Sequence, residues 1–212
     1  MMEPRVLGLL LFAAALAGGA APASAQPAPI VIDDFTAGPV ALTVTTTANL
    51  VNRTQVGDPA HLIGGVRCLG FNVTGNPFQR QAALDIGGGH LVVDTGILTH
   101  HAVTLAYGWD RACEAAGGMH VDMSGQAGLR LDVVGLDRDT AGAIVVWTSA
   151  GIASVPLGMV TGERFKDVPF SDFVGDMDLH DVQYLAIVIQ TGGVDVGHDY
   201  AIRSIKVLPA LN

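Results

Sequence analysis

The stretch that decides the fold runs from Val121 to Phe173. It reads Val121-Asp122-Met123-Ser124-Gly125, then Leu129-Arg130-Leu131-Asp132-Val133, then Ala143-Ile144-Val145-Val146-Trp147, and it closes on Val168-Pro169-Phe170-Ser171-Asp172-Phe173. Leu129, Leu131 and Val133 fall on one side of a period of two, with Arg130 and Asp132 on the other. That is the pattern of a strand with one wet face. Residues 143–147 are apolar throughout and rich in β-branched side chains, which suits a central strand covered on both faces. Turn-forming residues separate these runs, and no helical period of comparable strength lies between them. The expected fold class is all-β, a twisted antiparallel two-sheet sandwich of the jelly-roll kind.

Outward from this stretch the pattern repeats. On the N-terminal side, Ile30 to Phe35 forms a short first strand ending in paired acids, and Ala41 to Thr47 alternates cleanly as a second. Residues 49–60 are polar and read as a surface loop. His61 to Leu69 is apolar but holds Gly64-Gly65, which suggests a bulge or a close backbone approach. Residues 80–86 and 90–94 flank Gly87-Gly88-Gly89 as a hairpin, and His101 to Tyr107 is another alternating strand. On the C-terminal side, Val182 to Gln190 is apolar on both faces and should be internal. Thr191-Gly192-Gly193 turns the chain into a last strand, Tyr200 to Val207, whose apolar phase slips at Arg203-Ser204 as a bulge would make it. About ten short strands at near-regular spacing, with no repeat and no linker, are expected to form one domain over residues 26–212.

Residues 1–25 read as a signal peptide: Arg5 supplies the positive start, Val6 to Ala17 the apolar core, and Ala23-Ser24-Ala25 a small-x-small cleavage site. The Ala-rich character of this segment looks bacterial, so a secreted or periplasmic protein is expected, with no membrane span in the remainder. The net charge of −9 disfavours nucleic acid and anionic membrane surfaces. Half of the residues are hydrophobic and only 15% are charged, a balance that excludes disorder. Cys68 and Cys113 are the two cysteines, and in an oxidising compartment such a pair reads first as a disulfide. Two buried thiols, or a metal pair with further ligands, is the alternative.

Several segments together resemble the galactose-binding-domain-like jelly rolls, which include many carbohydrate-binding modules and the complex I intermediate-associated-protein-like sandwiches. The matching pieces are Ile32-Asp33-Asp34-Phe35, Gly64-Gly65-Val66-Arg67, the Val121 to Gly125 and Leu129 to Leu131 runs, Val168 to Phe173, Asp181 to Leu185, and Asp199 to Ile205. The resemblance implies a β-sandwich and a glycan or cell-envelope polysaccharide as partner. It also implies a structural calcium held by carboxylates of the first and last strands, here Asp33, Asp34 and Asp199. Where relatives often carry an acid two residues before the isoleucine at the Ile205 position, this chain has Arg203. An Arg203 pair with Asp33 or Asp34 would neutralise the acids as the cation does.

Binding a sugar takes flat aromatics for stacking and planar polar groups that grip hydroxyls in pairs. The most ligand-like cluster is Tyr107, Trp109, Asp110 and Arg111, although Trp109 could equally pack over a Cys68–Cys113 bridge. Arg67 and Arg130 could enter a concave face with Asp132, or lie as exposed strand charges, and Trp147 is read as core. The seven histidines do not form a metal motif: His100 and His101 face opposite sides of a strand, and only His120 with Asp122 shares a face. Gly-x-Ser-x-Gly is absent, and Gly87-Gly88-Gly89 lacks the Lys-Ser/Thr of a phosphate loop. The sequence therefore points to a secreted, non-catalytic carbohydrate-binding sandwich. A structural or adhesive envelope protein is the alternative, followed by a small polysaccharide lyase or glycoside hydrolase.

Overall fold

A computed structural model describes residues 27–115, 117–191 and 197–210; the expected signal peptide at 1–25 and the expected turn at Gly192-Gly193 lie outside them. Fourteen strands are described: β1 (Ile30–Asp33), β2 (Val40–Val44), β3 (Ala48–Val56), β4 (Val66–Gly75), β5 (Ala82–Gly87), β6 (His90–Thr95), β7 (His100–Tyr107), β8 (Gly128–Leu136), β9 (Thr140–Thr148), β10 (Ile152–Pro156), β11 (Phe165–Pro169), β12 (Val174–Gly175), β13 (Val182–Thr191) and β14 (Tyr200–Leu208). One sheet runs β11-β8-β14-β6-β5-β2, with β1 alongside β14. The other runs β12-β10-β9-β13-β7-β4-β3. Every pairing between named strands is antiparallel. The fold is the expected all-β two-sheet sandwich. No helix among the described residues is long and apolar enough to cross a membrane.

One core fills the space between the sheets. The long strands contribute alternate residues: Leu129, Leu131 and Val133 from β8, Val103, Leu105 and Tyr107 from β7, Leu185, Ile187 and Ile189 from β13. The phase slip in β14 is present as a register shift between Ile202 and Ser204 against β8. Gly64 and Gly65 form a one-turn 3-10 segment rather than a bulge in a strand; both sit at positive φ, 67° and 71°, where a side chain would be strained.

Two sequence expectations are corrected. Residues 49–60 are not a loop, because Ala48–Val56 pairs with β4 as the edge of its sheet. An edge strand keeps one side in water, so polar composition does not prevent its backbone from pairing. Within the stretch quoted first, Val121 to Gly125 makes a single bridge, Val121 to Val182, and Met123 is buried in the core. Finally, β9 is central but not covered on both faces. Ile144 and Val146 are buried, whereas Val145 and Trp147 lie half-buried on the outer side of the sheet. Two layers leave each sheet one outer face, and apolar residues there line a surface feature instead of a core.

Cys68 and Cys113 form a disulfide across 45 residues. Removing its constraint on the unfolded chain is expected to cost about 3–4 kcal/mol in the loop-entropy account. For a domain of this size each kcal/mol moves the midpoint by roughly 2–4 °C. Thermal unfolding with and without a dithiol checks this: a melt that does not move while two thiols become titratable would refute it.

Candidate functional site

The outer face of the β3-β4-β7-β13-β9 sheet is floored by small side chains. Cys68, Ala106 and Ala186 lie opposite one another across three strands, as do Gly70, Thr104 and Val188 in the next row, and Asn72, Ala102 and Gln190 in the one after. Asn49 faces Asn72 from the edge strand. The inward positions of the same strands hold Leu69, Phe71, Val103, Leu105 and Ile187, all fully buried. Large-in and small-out alternation therefore leaves a depression, a trough of about 480 Å³. From the Tyr184 row to the Gln190 row it runs about 20 Å along the strands.

The walls are aromatic at one end and amide at the other. Trp147 and Trp109 line the trough with the Cys68–Cys113 bridge. Tyr184 lies between the tryptophans: its ring centroid is 6.0 Å from Trp109 and 6.4 Å from Trp147, the latter edge-on. These separations are the ordinary ones for tilted and T-shaped pairs, so each ring orients its neighbour. Asn49 and Asn72 form the polar end, with Thr104 on the floor. Each amide offers both donor and acceptor, the pairing a sugar hydroxyl needs. Among the described residues, no carboxylate, histidine, lysine or arginine lines the trough.

Trp109 rides on the connection from β7 to β8. The Asp110 carboxylate accepts the N–H groups of Ala112 (3.1 Å) and Glu114 (3.0 Å), which hold it below the usual carboxylate range, the Glu114 bond most of all. Asp110 thus shapes the loop beside Trp109, and Arg111 is exposed on it.

The other predicted site residues do not converge here. Tyr107 and Arg67 face inward and are fully buried, so neither presents a surface to a ligand. Arg67 donates to Asp33 at 2.6 Å, and the Tyr107 hydroxyl donates to the same carboxylate at 3.0 Å. Odd positions of β4 and β7 point to the core, which is why both lie on the wrong side. Arg130 and Asp132 are on the outer face of the opposite sheet. Arg130 grips Asp167 through two bonds of 2.6 Å and stacks 4.4 Å from the Phe165 ring centre, while Asp132 accepts from Ser204 (2.6 Å) and Lys206 (3.2 Å).

The three acids named for calcium are likewise apart in their bonding. Asp33 is tied to Arg67, Asp34 to His61 at 2.5 Å, and Asp199 to the Thr95 N–H at 2.9 Å. Arg203 does not pair with Asp33 or Asp34; it is exposed, with a nitrogen 3.9 Å from Asp132. His120 bonds Asp181 at 2.7 Å rather than joining Asp122. Among the described residues no group of three or more His, Cys, Asp or Glu is arranged to hold a metal ion. Trp147 and the small residues of the floor were absent from the predicted site. Their signal was the alternation itself, since Ala102-x-Thr104-x-Ala106 is small where the opposite phase is large.

No family model matches the chain, and no curated protein matches it. Solved structures that it is similar to include carbohydrate-binding modules. One is a family 11 module from Clostridium thermocellum in complex with a β-1,3-1,4-mixed-linked tetrasaccharide, 9% identical with a TM-score of 0.39, covering 87% of this chain and 97% of that one. A solution structure of a family 11 module gives 11% identity and a TM-score of 0.43 over 90% of this chain and 100% of that one. A family 29 module from Piromyces equi gives 13% and 0.34 over 80% and 91%. At these identities and scores the likeness bears on neither ligand nor role, and the fold stands on its own strand pairing.

Proposed function

We propose that this is an exported, non-catalytic carbohydrate-binding protein that takes an extended, uncharged oligosaccharide in the trough. The observation that carries the proposal is the lining. Two tryptophans offer flat apolar surface for pyranose C–H groups, two asparagines offer paired hydrogen bonds, and the floor is bare enough to admit a chain. Among the described residues no cation lines the trough, and in a protein of net charge −9 such a surface is poorly matched to polyuronates or sulfated glycans. Hydrolysis by the usual route needs two carboxylates astride the scissile bond, and among the described residues none lines this surface. The disulfide fits an oxidising destination outside the cytoplasm. The proposal assigns no calcium at Asp33, whose charge is met by Arg67.

Calorimetry of the purified protein against the β-1,3-1,4-mixed-linked tetrasaccharide, mannohexaose and oligogalacturonate tests this. Binding is expected for at least one neutral chain and none for the uronate. Trp147→Ala should weaken the neutral ligand about 10–100-fold, the loss typical of a buried aromatic anchor. Binding of the uronate alone, or a Trp147→Ala variant that binds as the parent does, would overturn it. A protein that adheres through its sheet surface without sugar would give no heat with any of the three.

A further inference from the structure

The segment that carries Trp109 is built as a ring hinged on Gly108. The Gly108 carbonyl accepts the N–H groups of Gly117 (3.1 Å) and Gly118 (2.8 Å), which closes its base. Gly108 has φ of +90°, and a Cβ there would stand 2.2 Å from the Gln183 carbonyl oxygen, so only glycine permits this close approach. Within the ring, Asp110 N–H donates to Ala115 and Cys113 N–H to Asp110, adding to the carboxylate bonds already described. Among the described residues the backbone bonds of this segment run largely within it, while Trp109 packs on Tyr184 at 6.0 Å. Arg111, Ala112, Glu114 and Ala115 are exposed, and none of residues 109–115 belongs to the core. Yet Cys113 is bonded to Cys68, which stands on the trough floor between Thr54 and Ala106, and both sulfurs line the trough beside Trp109.

We propose that the Cys68–Cys113 bond is a positioning element of the binding site: it holds residues 109–115 down so that Trp109 forms a wall of the trough. The inference rests on the proposed sugar site for its use, but the placement of Trp109 stands apart from any ligand. Reduction by dithiothreitol converts the bridge into two thiols while the dithiol closes to its own cyclic disulfide. The ring then swings on Gly108, and the trough loses Trp109 while the two sheets persist. Because a ligand in the trough would touch both Trp109 and the bridge, binding and reduction are coupled, and the coupling must be reciprocal.

The test has a ligand-free arm and a binding arm. In the first, Trp147→Phe leaves Trp109 as the single tryptophan of the chain. Reduction should at least double its quenching by acrylamide, and amide exchange around Trp109 should quicken well beyond the common factor that the loss of global stability imposes on β7 and β13. Unchanged quenching with two thiols titrated overturns the proposal. So does exchange that quickens by the same factor around Trp109 as in both sheets, since the bond would then be a general brace and nothing more; Cys68→Ala with Cys113→Ala repeats the measurement without reductant. In the second arm, reduction of the parent protein should weaken the mixed-linkage tetrasaccharide about 10-fold or more, as loss of one of two aromatic walls would, and saturating tetrasaccharide should slow thiol release. Equal affinity in both redox states overturns the proposal. If the tetrasaccharide and mannohexaose do not bind at all, the sugar site fails, and the quenching arm still decides what the bridge does.

Discussion

Replacing Arg67 by Met is expected to lower stability by about 3–5 kcal/mol, the cost of leaving a buried charge without its partner. The guanidinium is fully buried and every nitrogen of it is engaged. Nη1 donates to Asp33 at 2.6 Å, Nε to Gln55 at 2.6 Å, and Nη2 to the Ala37 carbonyl at 2.9 Å and to Gln55. Its carbon lies 5.5 Å from the centre of the Phe35 ring. Asp33 in turn accepts the Tyr107 hydroxyl and the Phe35 N–H at 2.8 Å. Burial pushes the Asp33 carboxyl above its usual value, against the pull of Arg67, so a lone Asp33 would take up a proton rather than stay charged. The network ties the opening strand β1, which belongs to one sheet, to β4 of the other. Urea unfolding of Arg67→Met checks the loss. The double variant Arg67→Met with Asp33→Asn should recover much of it, because no charge is then stranded, the Asn Oδ1 can still accept the Phe35 N–H, and its Nδ2 can donate to the Tyr107 hydroxyl oxygen. A single variant within 1 kcal/mol of the parent, or a double variant less stable than the single, would contradict this account.

That network also marks where the sequence stops being legible. Strand phase is local, so Leu129 to Val133 and the slip at Arg203-Ser204 were readable from spacing alone. The partner of a buried acid is not local. Asp33 and Arg67 are 34 residues apart, and choosing Arg67 over Arg203 requires knowing that Arg67 points inward and Arg203 outward. Trp147 illustrates a second limit. When both faces of a strand are apolar, a period of two no longer says which face meets the other sheet, and the residue was placed in the core although it lines the trough. The edge strand Ala48–Val56 is a third, since a backbone ladder can form under polar side chains. The cysteine pair and the Trp109 loop were readable because covalent pairing and turn chemistry depend on residue type more than on topology.

Acidification is expected to destabilise the protein by about 1.4 kcal/mol per pH unit for each buried histidine that must charge on unfolding. His101 is 3% exposed, with neither ring nitrogen hydrogen-bonded, and burial pushes its pKa from 6.5 down to about 4. Its ring packs edge-on to Phe71 at 5.9 Å, stacks on Tyr200 at 6.0 Å, and faces His198 at 6.5 Å. The nearby His100 adds a further unfavourable charge. His198 is also lowered, by burial first; Asp137, Asp199 and Asp139 partly offset this and Arg138 opposes them. Since the folded pKa lies below the unfolded one, the unfolded chain binds more protons as pH falls below about 6.5. Stability is therefore full above that value and declines toward pH 4, by about 3 kcal/mol in total for His101. His61, exposed beside Asp34, is raised and works in the opposite direction, but its charge is screened by water. Urea midpoints between about pH 7.5 and 5 isolate the effect, because ordinary carboxylates remain largely ionised over that range. His101→Phe keeps a ring against Phe71 and Tyr200 and removes the titrating group, so its profile should flatten. An unaltered slope in that variant would show that the interior histidine is not the group that senses acid.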